Sequence, residues 1–159
     1  MPRVRLFLAI ALLGAACLVA PVAQSVPVAA KAPKLEPVAD AKLLMNGLAE
    51  PNFKGVGKLL KDRPKEDEAW EFMRGRALLV AETGNLLMIR PPKAREPQDS
   101  WMTHGTELRE TAATLAKAAG EKDYVKSRAA FAGVANACNR CHRTFNVATR
   151  VQPFPDDEK

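Results

Sequence analysis

Histidine is nearly absent from this 159-residue chain: His104 and His142 are the only two. That scarcity leaves little for general acid–base chemistry, in which imidazole is the commonest group. No Ser/His/Asp arrangement, phosphate-cradling glycine loop or pair of spaced carboxylates stands out, so no enzyme activity is expected. Cysteine is also scarce, with three in all, and Cys17 falls in an N-terminal apolar run. Aromatic residues make up 6% of the chain and do not interleave with Lys and Arg as in a single-strand-binding groove. Nucleic acid is therefore excluded as a partner. Alternation of apolar and polar residues with period two is missing, and with it any convincing strand. No methionine follows Met102.

The start of the chain reads as an export signal. Arg3 and Arg5 precede an apolar run from Leu6 to Ala20, and small residues follow, with cleavage expected after Ala23 or as late as Ala30. The run falls short of the roughly 20 apolar residues that span a bilayer. An uncleaved membrane anchor is the other reading of such a run. A lipid anchor on Cys17 fits less well, because Gly14 stands where a lipoprotein signal usually has Leu. Each version places the mature protein outside the cytoplasm, with the periplasm as the expected compartment. Cleavage after Ala23 leaves 22 basic and 18 acidic residues, a mildly basic surface. It also leaves only Cys138 and Cys141.

Residues 24–37 are rich in Pro, Ala, Val and Lys and read as a flexible leader. Helical periodicity then dominates to about residue 151. The spacing predicts a first helix over Val38 to Lys61, with Ala41, Leu44, Met45 and Leu48 on one face and a kink or split at Pro51. A second helix is predicted from Pro64 to Arg90, with Trp70, Met73, Ala77, Leu78, Ala81, Leu86 and Ile89 inward. Asp99 or Ser100 can cap a third, which Gly120 stops, and Asp123 can cap a fourth that carries Phe131, Val134, Cys138, Cys141, His142 and Phe145. Residues 152–159 are proline-rich and acidic and are expected to fray. Four amphipathic helices with short connections predict an all-α fold, an antiparallel four-helix bundle over 38–151.

Residues 138–142 read Cys-Asn-Arg-Cys-His. This is the c-type haem attachment pattern, in which each thiol adds across one porphyrin vinyl group and the histidine next to the second cysteine binds iron. On a helix, residues three and four apart share a face, so Cys138, Cys141 and His142 project to one side. Zinc would need about four ligands, and only His104 and carboxylates are left to complete the set. A thiol–disulfide site uses the same cysteine spacing but expects a strand–helix–strand setting, which is missing here. One covalent haem c on the last helix is the expectation, and export agrees with it. Its two propionates lower the mature net charge to about +2.

Only 17 residues follow His142, so any sixth ligand to the iron comes from earlier in the chain. In that placement the sequence resembles the class II c-type cytochromes, the cytochrome c-prime group, over roughly 38–147. The CNRCH motif on the last helix, Phe145 three residues after the histidine, and the Leu43–Leu44–Met45 segment of the first helix carry the resemblance. It implies a periplasmic four-helix bundle, often a homodimer. Asn146 departs from the family, which often has a basic residue there, leaving Arg140, Arg143 or Arg150 to meet a propionate.

The resemblance places Met45 at the position of the sixth ligand, opposite His142. A methionine there suits electron transfer to redox partner proteins. A closed-off apolar position would instead leave the iron five-coordinate, able to bind small gases such as nitric oxide or carbon monoxide. By composition Met45 is equally a core filler, as Met73, Met88 and Met102 are. His104 reads as a surface residue, though imidazole is a competent ligand. Trp70, Phe72, Trp101 and Phe131 fit either a haem pocket or an ordinary core. Lys117, Lys122 and Lys126 read as an exposed face that an acidic redox partner can use. A small module of a larger respiratory complex is a third reading, for which the chain gives no sign.

Overall fold

The computed structural model describes residues 34–92 and 98–154, so the expected signal over 1–23 and most of the leader lie outside the described residues. Every regular element among the described residues is helical: α1 (Ala41–Leu44), a π-helical turn (Met45–Ala49), α2 (Glu50–Lys61), α3 (Asp67–Met88), α4 (Gln98–Gly120) and α5 (Tyr124–Thr144). The first three form one continuous helical leg, which gives four legs in all. α3 packs on α4, α4 on α5, and α2 on both α3 and α5, closing the predicted four-helix bundle. None of these helices is long and apolar enough to cross a membrane.

The first leg begins at Ala41 rather than Val38, because the Asp40 side chain accepts from the Leu43 N–H at 2.7 Å and caps the helix there. Pro51 does not break it. In α-register Pro51 would lack the N–H for the Gly47 carbonyl and press its ring on that turn. Instead the chain widens just before the proline, and the Glu50 N–H reaches back five residues to the Met45 carbonyl. The expected kink is thus a π turn, a feature frequent at functional sites.

The buried face of α3 is Trp70, Met73, Ala77, Val80, Ala81, Gly84 and Leu87, a run of three- and four-residue steps. Leu78, expected inward, is one step off that stripe and 45% exposed. α3 starts at Asp67, not Pro64, and α4 starts at Gln98, which puts Asp99 and Ser100 inside its first turn. Gly120 is the last residue of α4, but the left-handed residue ending the helix is Lys122, at φ 55°. The Lys122 N–H donates to Ala119 and the Asp123 N–H to Ala118, at 3.0 and 3.1 Å.

Val56, Leu60, Met73, Leu115, Phe131 and Val134 are almost wholly buried and form the centre of the core. Each such side chain contributes about 1.5–3 kcal/mol relative to exposure. The Tyr124 hydroxyl donates to the Leu60 carbonyl at 2.9 Å and ties the start of α5 to the end of α2.

Candidate functional site

α5 starts where expected, with the Asp123 carboxylate accepting from the Lys126 N–H at 2.9 Å. Its last turns carry Cys138, Cys141 and His142, all three lining one cleft of about 970 Å³. That volume is in the range of small-molecule and cofactor sites. The first leg supplies the opposite wall, including Met45, Ala49 and Phe53, while Val80, Leu87, Trp101 and Leu108 reach it from α3 and α4. Met45 opens the π turn.

Met45 is the one methionine lining this cleft among the described residues. Met73 is fully buried in the core, Met102 is 44% exposed, and the Met88 sulfur accepts from the Thr106 hydroxyl at 3.5 Å. The aromatic residues divide the same way. Trp70 is core, Phe72 is 57% exposed beneath the Arg76 guanidinium, and Trp101 and Phe131 line the cleft. Trp101 also donates its indole N–H to the Leu87 carbonyl at 2.7 Å and meets Phe145 edge-on.

His104 is half-buried, and its ring meets Phe145 edge-on without itself lining the cleft. Its Nδ1 is 3.4 Å from Glu107 and its Nε2 3.0 Å from the Thr144 hydroxyl, bridging α4 to the end of α5. Glu107 also pairs with Arg140. The hydrogen bond from Arg140, with the nearby positive charge, holds the Glu107 carboxyl below the usual carboxylate range. Arg140 is thereby committed to α4. Of the three arginines weighed for a propionate, only Arg150 lines the cleft.

Helix α5 ends with Asn146 in the left-handed region, at φ 56°. The Val147 N–H donates to His142 and the Asn146 N–H to Arg143, at 2.8 and 3.3 Å, the bonding of a Schellman stop. Asn is well suited to that conformation, which gives the departure at Asn146 a backbone reason. The chain then runs back along α5. Thr149 offers its carbonyl to His142 Nδ1 at 2.9 Å, Val151 pairs with Asn139 through two bonds of 2.8 Å, and Phe154 packs on Phe131 and under Arg128. Residues 152–154 of the tail expected to fray are therefore held, because a polar pair and an aromatic ring anchor them, while 155–159 lie outside the described residues.

These residues fit a covalently held haem. Two thiols and an imidazole come from one helix face into an apolar-walled cleft. With Nδ1 facing a carbonyl it carries the proton, and Nε2 keeps the lone pair for a metal. Burial pushes the Cys138 thiol up to about 12, with a smaller contribution from Cys141, and burial with the Glu107 charge pushes Cys141 up to about 11. Such thiols are poor nucleophiles, unlike the low-pKa cysteine of a thiol–disulfide centre. Among the described residues no group of three His, Cys, Asp or Glu side chains is arranged to hold a metal ion by itself.

Charge is unevenly spread. Lys42, Lys54, Lys58, Lys61, Arg128 and Arg150 line the cleft against one acid, Glu50, while the rest of the described chain has twelve basic and thirteen acidic residues.

No curated protein and no solved structure matches the chain. The family model for Cytochrome C' matches residues 92–146, about a third of the chain, a span holding α4, α5 and the whole motif but not Met45. This match, on an all-helical bundle whose last helix carries Cys138, Cys141 and His142, supports assignment of the chain to the class II c-type cytochromes of the cytochrome c-prime type.

Proposed function

We propose that the chain is an exported, periplasmic electron carrier with one haem c bound through Cys138 and Cys141 and its iron held between His142 and Met45. The observation that carries this reading is that Met45 and His142 line the same cleft, from two neighbouring legs of the bundle. Haem c in that cleft supplies a one-electron ferrous–ferric couple. The protein's part would be to hold His142 and Met45 toward the iron and keep water out of the cleft. A thioether opposite an imidazole favours the ferrous state and raises the potential. Apolar walls disfavour the extra charge of the ferric state in the same direction.

The partner is a redox protein with an acidic docking face. Six cations against the one carboxylate of Glu50 leave five positive charges around the cleft, more than two propionates neutralise, and the rest of the described chain is nearly balanced. A face of one sign accelerates encounter with the opposite sign.

Optical spectra of the haem-loaded protein in both oxidation states, for wild type and Met45→Ala, test the ligation. A low-spin spectrum with the weak long-wavelength ferric band of sulfur bonding, lost in the variant, is expected. A high-spin spectrum unchanged by the substitution would overturn it and indicate a five-coordinate iron suited to nitric oxide or carbon monoxide. Protein without covalent haem would overturn the cofactor assignment itself.

A further inference from the structure

The tail after α5 and its partner Asn139 meet the one side chain whose orientation matters most, His142. Asn139 lies inside the motif, between the two cysteines, and faces the returning tail rather than the cleft wall opposite. Its Nδ2 donates to the Val151 carbonyl and its Oδ1 accepts from the Val151 N–H, each at 2.8 Å. A carboxamide is the neutral side chain that offers a donor and an acceptor side by side, as a peptide group in a ladder does. Two residues before Val151, the Thr149 carbonyl accepts from His142 Nδ1 at 2.9 Å. Arg150 steadies the same stretch, its guanidinium donating to the Val147 and Thr149 carbonyls at 2.5 and 2.9 Å.

We infer that residues 147–154 form a strap that orients the His142 imidazole, and that Asn139 is the positioning residue that clamps it. The inference rests on the reading of His142 as the iron ligand. Asn139 fixes Val151, Val151 fixes Thr149, and the Thr149 carbonyl fixes both the tautomer and the plane of the ring. A ring nitrogen that donates to a carbonyl makes its partner nitrogen a stronger electron donor. Freed from the carbonyl, Nδ1 would bond to water, whose position and strength are not fixed. The ferric iron gains more from an electron-rich imidazole than the ferrous does, so losing the clamp shifts the redox equilibrium toward ferrous. Outer partners of metal-bound histidines are commonly worth about 10- to 100-fold in affinity. We expect about tenfold here, the lower end, because Asn139 acts at one remove.

The test uses haem-loaded wild type, Asn139→Ala and Asn139→Asp. Three quantities are read: amide exchange at Val151, the ferric-to-ferrous ratio against a soluble mediator, and the thermal midpoint. In wild type the Val151 amide is protected. In Asn139→Ala it exchanges freely and the ratio moves about tenfold toward ferrous, while the midpoint changes little because Ala is the better helix former. Asn139→Asp keeps the acceptor for the Val151 N–H but loses the donor, and falls between the two. An unprotected Val151 amide in wild type would overturn the strap. Free exchange in Asn139→Ala with an unchanged ratio would overturn its action on His142. Failure of the ligation reading shows separately, as a wild-type spectrum without histidine-bound haem c.

Discussion

The contact between α3 and α4 is close enough to make a single methyl group decisive. At Gly84 an added Cβ would lie 2.6 Å from the Gly105 carbonyl oxygen and 2.8 and 3.1 Å from the backbone N and Cα of Arg109. A comfortable carbon–oxygen approach is about 3.3–3.6 Å. All three obstacles are backbone, so no side chain can step aside and Gly84→Ala must push the helices apart by several tenths of an ångström. A gap of that size already forfeits about a quarter of the dispersion contact along the seam. Overpacking of this kind costs about 1–3 kcal/mol, and backbone obstacles place Gly84 at the upper end. Alanine returns about 1 kcal/mol of helix propensity, for a net loss of about 2 kcal/mol. Gly75, on the same helix, has nothing within 4 Å of its added Cβ, so Gly75→Ala gains about 0.5–1 kcal/mol. The pair should differ by about 3 kcal/mol in urea unfolding at an unchanged m-value. Val80 and Leu87 on α3 and Leu108 on α4 are buried and also line the cleft, so moving these helices apart should show in the visible spectrum of the Gly84 variant as a loosened site. Equal stability of the two variants would refute the argument, since propensity alone would then account for both.

Two further outcomes follow from charge. Glu107 has a folded pKa below its ordinary value, so the ionised carboxylate stabilises the fold above the unfolded pKa and that contribution is lost as pH falls through the folded one. Glu107→Gln should therefore flatten the acid limb of stability below about pH 4.5, read by thermal melts between neutral and acid pH; an unchanged acid limb would show that Arg140 and His104 stabilise the anion no better than water does. Electron transfer with hexacyanoferrate, an anionic probe, should slow about three- to tenfold at low salt in Lys58→Glu, at the cleft, but little in Lys117→Glu, on α4. The difference should fade near 1 M salt, where screening acts over about 3 Å; equal slowing by both would show that net charge, not the cleft rim, steers the probe.

The four helical legs were legible because their signals are local. Apolar spacing, Asp123 as a cap and the connection before it are all read within a few residues of one another. The errors lie at the helix ends. Apolar spacing runs past the Asp40 cap to Val38, Pro64 suits a helix start without being one, and the stop at Lys122 escapes notice because a lysine in the left-handed region carries no mark in the sequence. Its carboxylate partner, Asp67 at 2.7 Å, is on another helix. The π turn was half-legible: Pro51 signalled that an α-helical bond would be lost, but not that the chain would widen ahead of it. The choice between a kink and a π turn depends on what the following residues must pack against, here α3 and α5.

The site divides along the same line. Cys138, Cys141 and His142 could be grouped from spacing alone, since one helix turn brings them to one face. Met45 joins them only across the bundle, and what singles it out from Met73, Met88 and Met102 is which cleft each side chain reaches, a tertiary fact. The strap is harder still. Asn139 and Val151 are twelve residues apart with a helix end and a reversal between them, and each is unremarkable taken singly. What joins them is Asn146, whose left-handed conformation turns the chain back along α5 in the register that pairs Thr149 with His142 and Val151 with Asn139. The residue that looked like a missing family cation thus has a geometric task. A lysine or arginine at position 146 would pay a conformational cost in that region, as Lys122 does at φ 55°, whereas asparagine takes the turn that aims the tail at the imidazole more readily.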